Sequence, residues 1–282
     1  MTILRTLAKV LAVVFVLFVC FTAGSTIAMR GMSQPPQSGA STAVTLLLVC
    51  FLQAAGISYL ILRSRWSGWR LIAAIFVVYY GVTTFMPQIE SAVFLTRLPA
   101  GVLPRLFLMG LLIAIPFSIL AVVILGKRES AGQPTANDLQ LRLPLSEWSW
   151  KLALIAVGYV VLYFTFGYFI AWRSPAVREF YGGADPGNFF GQMQTVLRDT
   201  PWLIPFQIFR AMCWAGIAVV VIRLLEAGKL ETALVLGYMF AVVMCAPLLL
   251  PNPYMPEPVR MTHLAETASS NFIFGVFVGW ML

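Results

Sequence analysis

Four ionisable residues stand inside, or at the edge of, strongly apolar stretches of this chain: Glu90, Arg210, His263 and Glu266. His263 is the only histidine, and Glu266 follows it one helical turn later in RMTHLAETASSNF, residues 260–272. An imidazole titrates near neutral pH and burial raises a carboxylate toward the same range, so such a pair can hold and pass a proton. Arg210 lies in PFQIFRAMCWAG, with Gln207 three residues before it. A guanidinium keeps its charge at any ordinary pH and offers a planar fork of donors, which suits an anionic group. Glu90 lies in MPQIESAVF beside Pro87 and Gln88, and Asn271 lies two turns beyond His263. The candidate set for ligand binding or proton relay is therefore Glu90, Gln207, Arg210, His263, Glu266 and Asn271.

Other chemistries fit less well. One histidine and two glutamates are zinc-type ligands, but HxxE with a single histidine is a weak pattern. A neighbouring arginine also disfavours a cation, so no metal is expected. The chain contains no HExxH, no GxSxG serine, no Walker A loop and no GxGxxG, so no cofactor is implied. Cys20, Cys50, Cys213 and Cys245 all fall in apolar stretches without a CxxC, the pattern of small buried hydrophobes. The net charge is +8, with no basic patch interleaved with aromatics, so nucleic acid is not an expected partner.

These residues must be positioned by membrane helices. Hydrophobic residues make up 60% of the 282 and charged residues 11%, against about 25% charged in soluble domains. Apolar windows of about 20 residues recur, each long enough to span a hydrocarbon core of about 30 Å. The fold class is an all-α polytopic membrane protein whose partner is the lipid bilayer. Eight helices are expected, over roughly 7–28, 43–62, 71–94, 106–125, 151–172, 201–224, 231–250 and 262–282. In the last, His263, Thr267, Asn271, Gly275 and Gly279 recur every fourth residue. A stripe that ends in GxxxG lets a neighbouring helix approach closely, so it should face protein.

With the N-terminus in the cytoplasm, eleven basic residues fall inside and seven outside, and all four lysines fall inside. That orientation puts both termini in the cytoplasm of a bacterial-type inner membrane. All four buried ionisable groups then lie in the outer half. The outer connection 173–200, rich in Gly, Pro and aromatics, reads as an ordered lid or a short interfacial helix.

The chain also resembles itself. FTAGSTIAMR (21–30) matches FTFGYFIAWR (164–173) at six of ten positions, and AGISYLILR (55–63) pairs with AGIAVVVIR (215–223). Gly68 and Pro87 correspond to Gly228 and Pro247, and Arg105 takes the place of Arg260. The expected organisation is a four-helix half at 1–126, a cytoplasmic linker at 127–150 and a second half at 151–282, related by an axis along the membrane normal.

These observations point to a protein that binds or moves a small anionic solute, an ion or protons through a polar pocket. Two alternatives stand beside it: a non-catalytic accessory or assembly subunit, and a membrane enzyme using His263 with Glu266 on a lipid-soluble substrate. A homo-oligomer and a partner subunit are both compatible with the sequence. The topology is directly testable. A reporter fused after Leu282 and one inserted near Gln133 should both behave as cytoplasmic, and a periplasmic signal at either site would overturn the eight-span arrangement.

Overall fold

A computed structural model describes residues 3–32, 40–95, 98–127, 144–185 and 187–282. The chain is all-helical, and the described residues contain no strand beyond one isolated bridge. An apolar chain favours this outcome, because in hydrocarbon each backbone N–H and C=O must be satisfied within its own segment. We number the helices α1 Ile3–Ala28, α2 Ala40–Leu62, α3 Gly68–Phe94, α4 Val102–Leu125, α5 Leu145–Ala171, α6 Pro175–Tyr181, α7 Phe189–Asp199, α8 Leu203–Leu224, α9 Lys229–Leu249 and α10 Glu257–Met281.

Seven of these, α1 to α5, α8 and α9, are long and apolar enough to cross a membrane. The C-terminal helix α10 has the length, but Glu266, Ser269, Ser270 and Asn271 make its first half polar. Large apolar side chains such as Leu11, Phe15, Val44, Val157 and Val161 remain exposed, as lipid contact would allow. Helix starts fall earlier than the apolar windows suggest: α5 begins at Leu145 rather than 151, and α10 at Glu257 rather than 262. Their first turns, LSEWSW and EPVRM, are amphipathic, so the helix continues where the apolar signal fades. The expected linker 127–150 is therefore helical from Leu145, while its residues 128–143, Gln133 among them, lie outside the described residues.

The bundle packs by a few close helix pairs. α1 runs along α4, and α9 along α10; α1 also meets α2, α5 meets α8, α3 meets α4 and α5 meets α10. Contacts between the two halves of the chain join α3 to α8 and α2 to α9. Both α3 and α9 contain one wide π-helical turn, at Gly81–Phe85 and Met239–Val243, and these turns touch each other. In α3 the wide turn closes with Met86 N–H on Gly81 O, one residue before Pro87. Pro87, which has no N–H to give, follows directly after this wide turn. At the end of the bundle expected to face the cytoplasm, a short backbone pairing ties the halves. Arg65 N–H donates to Leu224 O and Glu226 N–H to Arg63 O, both at 2.9 Å, on either side of the Ser64–Leu225 bridge. Beside it Arg63 grips Glu231 at 3.0 and 3.1 Å, and Tyr59 donates to the same carboxylate at 2.5 Å.

The α9–α10 contact shows why the GxxxG stripe matters. A Cβ added to Gly275 would sit 2.5 Å from Leu236 O, and one added to Gly279 would sit 2.5 Å from Ala233 Cα. Both obstacles are backbone and cannot rotate away. Gly275→Ala and Gly279→Ala should each lower stability by about 1–3 kcal/mol, the usual cost of overpacking. Gly216, whose Cα faces open space, is the control, and Gly216→Ala should leave the melting temperature in detergent unchanged or slightly raised.

Candidate functional site

α8 turns one face inward, placing Gln207, Arg210 and Trp214 at helical spacing among its buried residues. The Arg210 guanidinium meets Glu90 of α3 end-on, Nη1 to Oε1 at 3.0 Å and Nη2 to Oε2 at 2.6 Å. Nη1 also donates to Gln207 Oε1 at 3.0 Å. The arginine side chain is 2% exposed and the glutamate 31%. Aromatic faces complete the surroundings: the guanidinium carbon lies 5.6 Å from the Tyr159 ring centre and 6.0 Å from that of Phe206. Of the two carboxylates available to it, Arg210 pairs with Glu90 and not with Glu266. Among the described residues, Arg210 Nε and Gln207 Nε2 are buried without a hydrogen-bond partner.

The second pair lies on α10. His263 Nδ1 stands 2.8 Å from Glu266 Oε2, and Nε2 stands 3.1 Å from the Tyr181 hydroxyl. Both pair members are largely buried, 20% and 13% exposed. With Glu266 ionised and His263 neutral, Nδ1 carries the proton and donates to the carboxylate, while Tyr181 donates into Nε2. Protonating Nε2 reverses the latter bond, because the ring N–H then donates to the tyrosine oxygen. Tyr181 therefore stays attached to the histidine in either state.

Tyr181 comes from the connection between α5 and α8, which carries α6 and α7. Pro175 opens α6, and Gly182, at φ 72°, ends it in the left-handed conformation that favours glycine. Ala171, Val177 and Val259 bury against one another and seat α6 on the first turn of α10. Asn188 caps α7 by accepting from Gly191 N–H at 2.8 Å. Gly167, where a wide turn begins in α5, leaves room for Glu266: an added Cβ would come within 3.6 Å of its Oε1.

No direct bond joins the two pairs among the described residues, but they share one electrostatic neighbourhood. Tyr159 and Tyr163 of α5 lie within Coulombic range of Arg210, Glu90 and Glu266, and His263 lies within range of Glu90. Asn271 falls outside this group. It is buried and donates to Met244 Sδ at 3.0 Å, a contact that fastens α10 to α9. Among the described residues no group of three or more His, Cys, Asp and Glu could hold a metal ion.

Sequence reasoning missed Tyr159, Tyr163 and Tyr181. Tyr159, Tyr163 and Gly167 recur every fourth residue along one stripe of α5, which was the available signal, although an aromatic in an apolar helix is ordinarily just core. Nothing in the sequence brings Tyr181 to His263.

Comparison with known proteins returned no match: no family model fits this chain, and no curated protein or solved structure is significantly similar to it. What the fold and composition define is a class, a multi-helix chain whose apolar helices are built to lie in a membrane.

The ion pair can be tested without knowing a ligand. Removing one member of a buried pair leaves the other charge uncompensated, which typically costs about 3–5 kcal/mol. Arg210→Ala should therefore sharply reduce folded yield and melting temperature in detergent. Arg210→Ala combined with Glu90→Gln should recover part of the loss.

Proposed function

We propose that this chain is a multi-pass plasma-membrane protein that binds or moves a small solute or ion, coupled to a proton, through the polar cluster in the outer half of its bundle. The observation that carries this reading is the continuous chain Tyr181–His263–Glu266, buried beside a second charged pair whose donors are not all used. A cluster that served packing alone would be expected to spend its donors, because an unpaired buried donor costs stability. In this reading α10 is an eighth crossing and both termini are cytoplasmic. His263 and Glu266 exchange the proton, and α6 covers them from the outer face through Tyr181.

The reading includes an internal duplication of four helices. Its support is the matching of helix contacts: α1 with α4 parallels α5 with α10, and α3 with α4 parallels α9 with α10. Across the halves, α3 with α8 parallels α9 with α2. The wide turns of α3 and α9 occupy corresponding places. A cleft between two such halves is where parallel-repeat transporters hold their ligands.

A second reading, an accessory subunit whose cluster only locks the halves together, draws on the end-on closure of Arg210 by Glu90. Proton movement separates the two. Protein reconstituted in vesicles with an entrapped pH-sensitive dye, and given a panel of small solutes and ions outside, should move protons faster than protein-free vesicles given the same panel. His263→Ala and Glu266→Gln should each reduce that rate at least about tenfold, in line with loss of a positioned proton-transfer group, at nearly unchanged folded yield. A wild-type rate equal to that of empty vesicles would sink the reading. So would variants that lose only stability.

A further inference from the structure

Arg210 has five N–H donors, and the structure accounts for three of them. Nη1 spends both hydrogens, one on Glu90 Oε1 and one on Gln207 Oε1, and Nη2 spends one on Glu90 Oε2. The two that remain are the Nε–H and the second Nη2–H. In a planar guanidinium these point the same way along one edge, spaced to meet the two oxygens of a carboxylate. That edge belongs to a side chain only 2% exposed, and Nε is buried without a partner. Gln207, fully buried on the same face of α8, holds a second unpartnered donor at Nε2. Gln207 Oε1 already accepts from Arg210, so the amide is fixed with its N–H₂ group as the free end.

We infer that the ligand of the cluster is a small monocarboxylate, seated on the Nε–Nη2 edge of Arg210 and taken up together with one proton. This rests on the reading that the cluster binds a solute. The donor edge selects an oxyanion, and charge selects a monoanion with its proton. Arg210 and Glu90 cancel each other. The groups that face His263 are Glu266 on its own helix, Tyr181 of α6 and, within electrostatic range, Glu90 of α3. None of them offers a second fixed positive charge. A monoanion entering alone would add an uncompensated negative charge next to Glu90 and Glu266. Protonation of His263 at Nε2, with Tyr181 turning to accept, restores the balance. A phosphate carries about −1.5 to −2 at neutral pH and would need more than the one proton that His263 supplies.

The test is binding by titration calorimetry to the full-length protein in detergent, with acetate, lactate and inorganic phosphate as probes, at several pH values and in buffers of different ionisation enthalpy. At least one of the two carboxylates should bind, with one proton taken up per ligand and affinity falling about tenfold per unit rise in pH above the histidine's titration. Arg210→Lys keeps the charge for Glu90 but removes the two-donor edge, so it should weaken carboxylate binding by about tenfold or more. Should that variant fail to fold, His263→Ala decides, with a clear loss of carboxylate affinity and of proton uptake expected. Carboxylate affinity unchanged in whichever of these variants folds would overturn the proposal. So would phosphate binding in preference to carboxylate, or carboxylate binding without proton uptake. If no probe binds while wild-type vesicles still move protons, this inference fails and the proton reading stands. If neither occurs, both fail.

Discussion

A guanidinium cannot give up its proton, and that one fact constrains much of this bundle. Once Arg210 sits on the inward face of α8, beside the rings of Tyr159 and Phe206, an acid must be brought to it from another helix. Glu90 is that acid, and reaching it sets the position of the C-terminal end of α3 against α8. The pair joins the first half of the sequence to the second, so it also fixes how those parts meet at that end. The Tyr181–His263–Glu266 chain then completes a polar region in a molecule that elsewhere buries mainly aliphatic and aromatic side chains.

The far end of the bundle solves the same docking problem differently. There Arg63, Arg65, Leu224 and Glu226 join the halves through backbone hydrogen bonds, and Glu231 gathers Arg63 and Tyr59 on the flank. These groups are partly exposed, so their charges cost little to hold and are screened by solvent. Between the ends, close approach replaces polarity. Gly275 and Gly279 let α10 touch the backbone of α9, and Gly24 admits Ile113 between α1 and α4. Contact at that distance gathers many small dispersion attractions without placing another polar atom in an apolar setting.

Much of this was legible in the sequence, and the remainder was not for definable reasons. Of the eight expected spans, seven are helices long and apolar enough to cross a membrane, because hydrocarbon leaves the backbone few other choices. The partner of Arg210 could be narrowed to two carboxylates, because few acids lie at its depth. The small end of the α10 stripe was readable as a contact face because glycine spacing is a steric signal. Helix starts were less readable, since amphipathic first turns such as LSEWSW carry no strong apolar window. Asn271 was grouped with the charged residues by spacing alone, yet it donates to Met244 Sδ of α9. Tyr181 was invisible, since its meeting with His263 depends on how α6 seats on α10. The wide turns of α3, α5 and α9 left no periodic trace either.

Those wide turns have a consequence for the length of the chain. A π-helical turn carries one more residue than an α-helical turn spanning the same rise. Deleting a single residue between Gly81 and Phe85 would let α3 close up as an ordinary helix, with its backbone bonds intact and its apolar character unchanged. Because the wide turn absorbs its extra residue, such a deletion would leave Glu90 facing as before. If instead the turn tightened to α-helix with all its residues kept, everything beyond it would rotate by about 100° around the helix axis. Glu90 would then point away from α8, leaving Arg210 buried with no acid in reach. In this helix the width of one turn matters as much as the identity of its residues: a tightening that hydropathy would not register would break the alignment of Glu90 with Arg210.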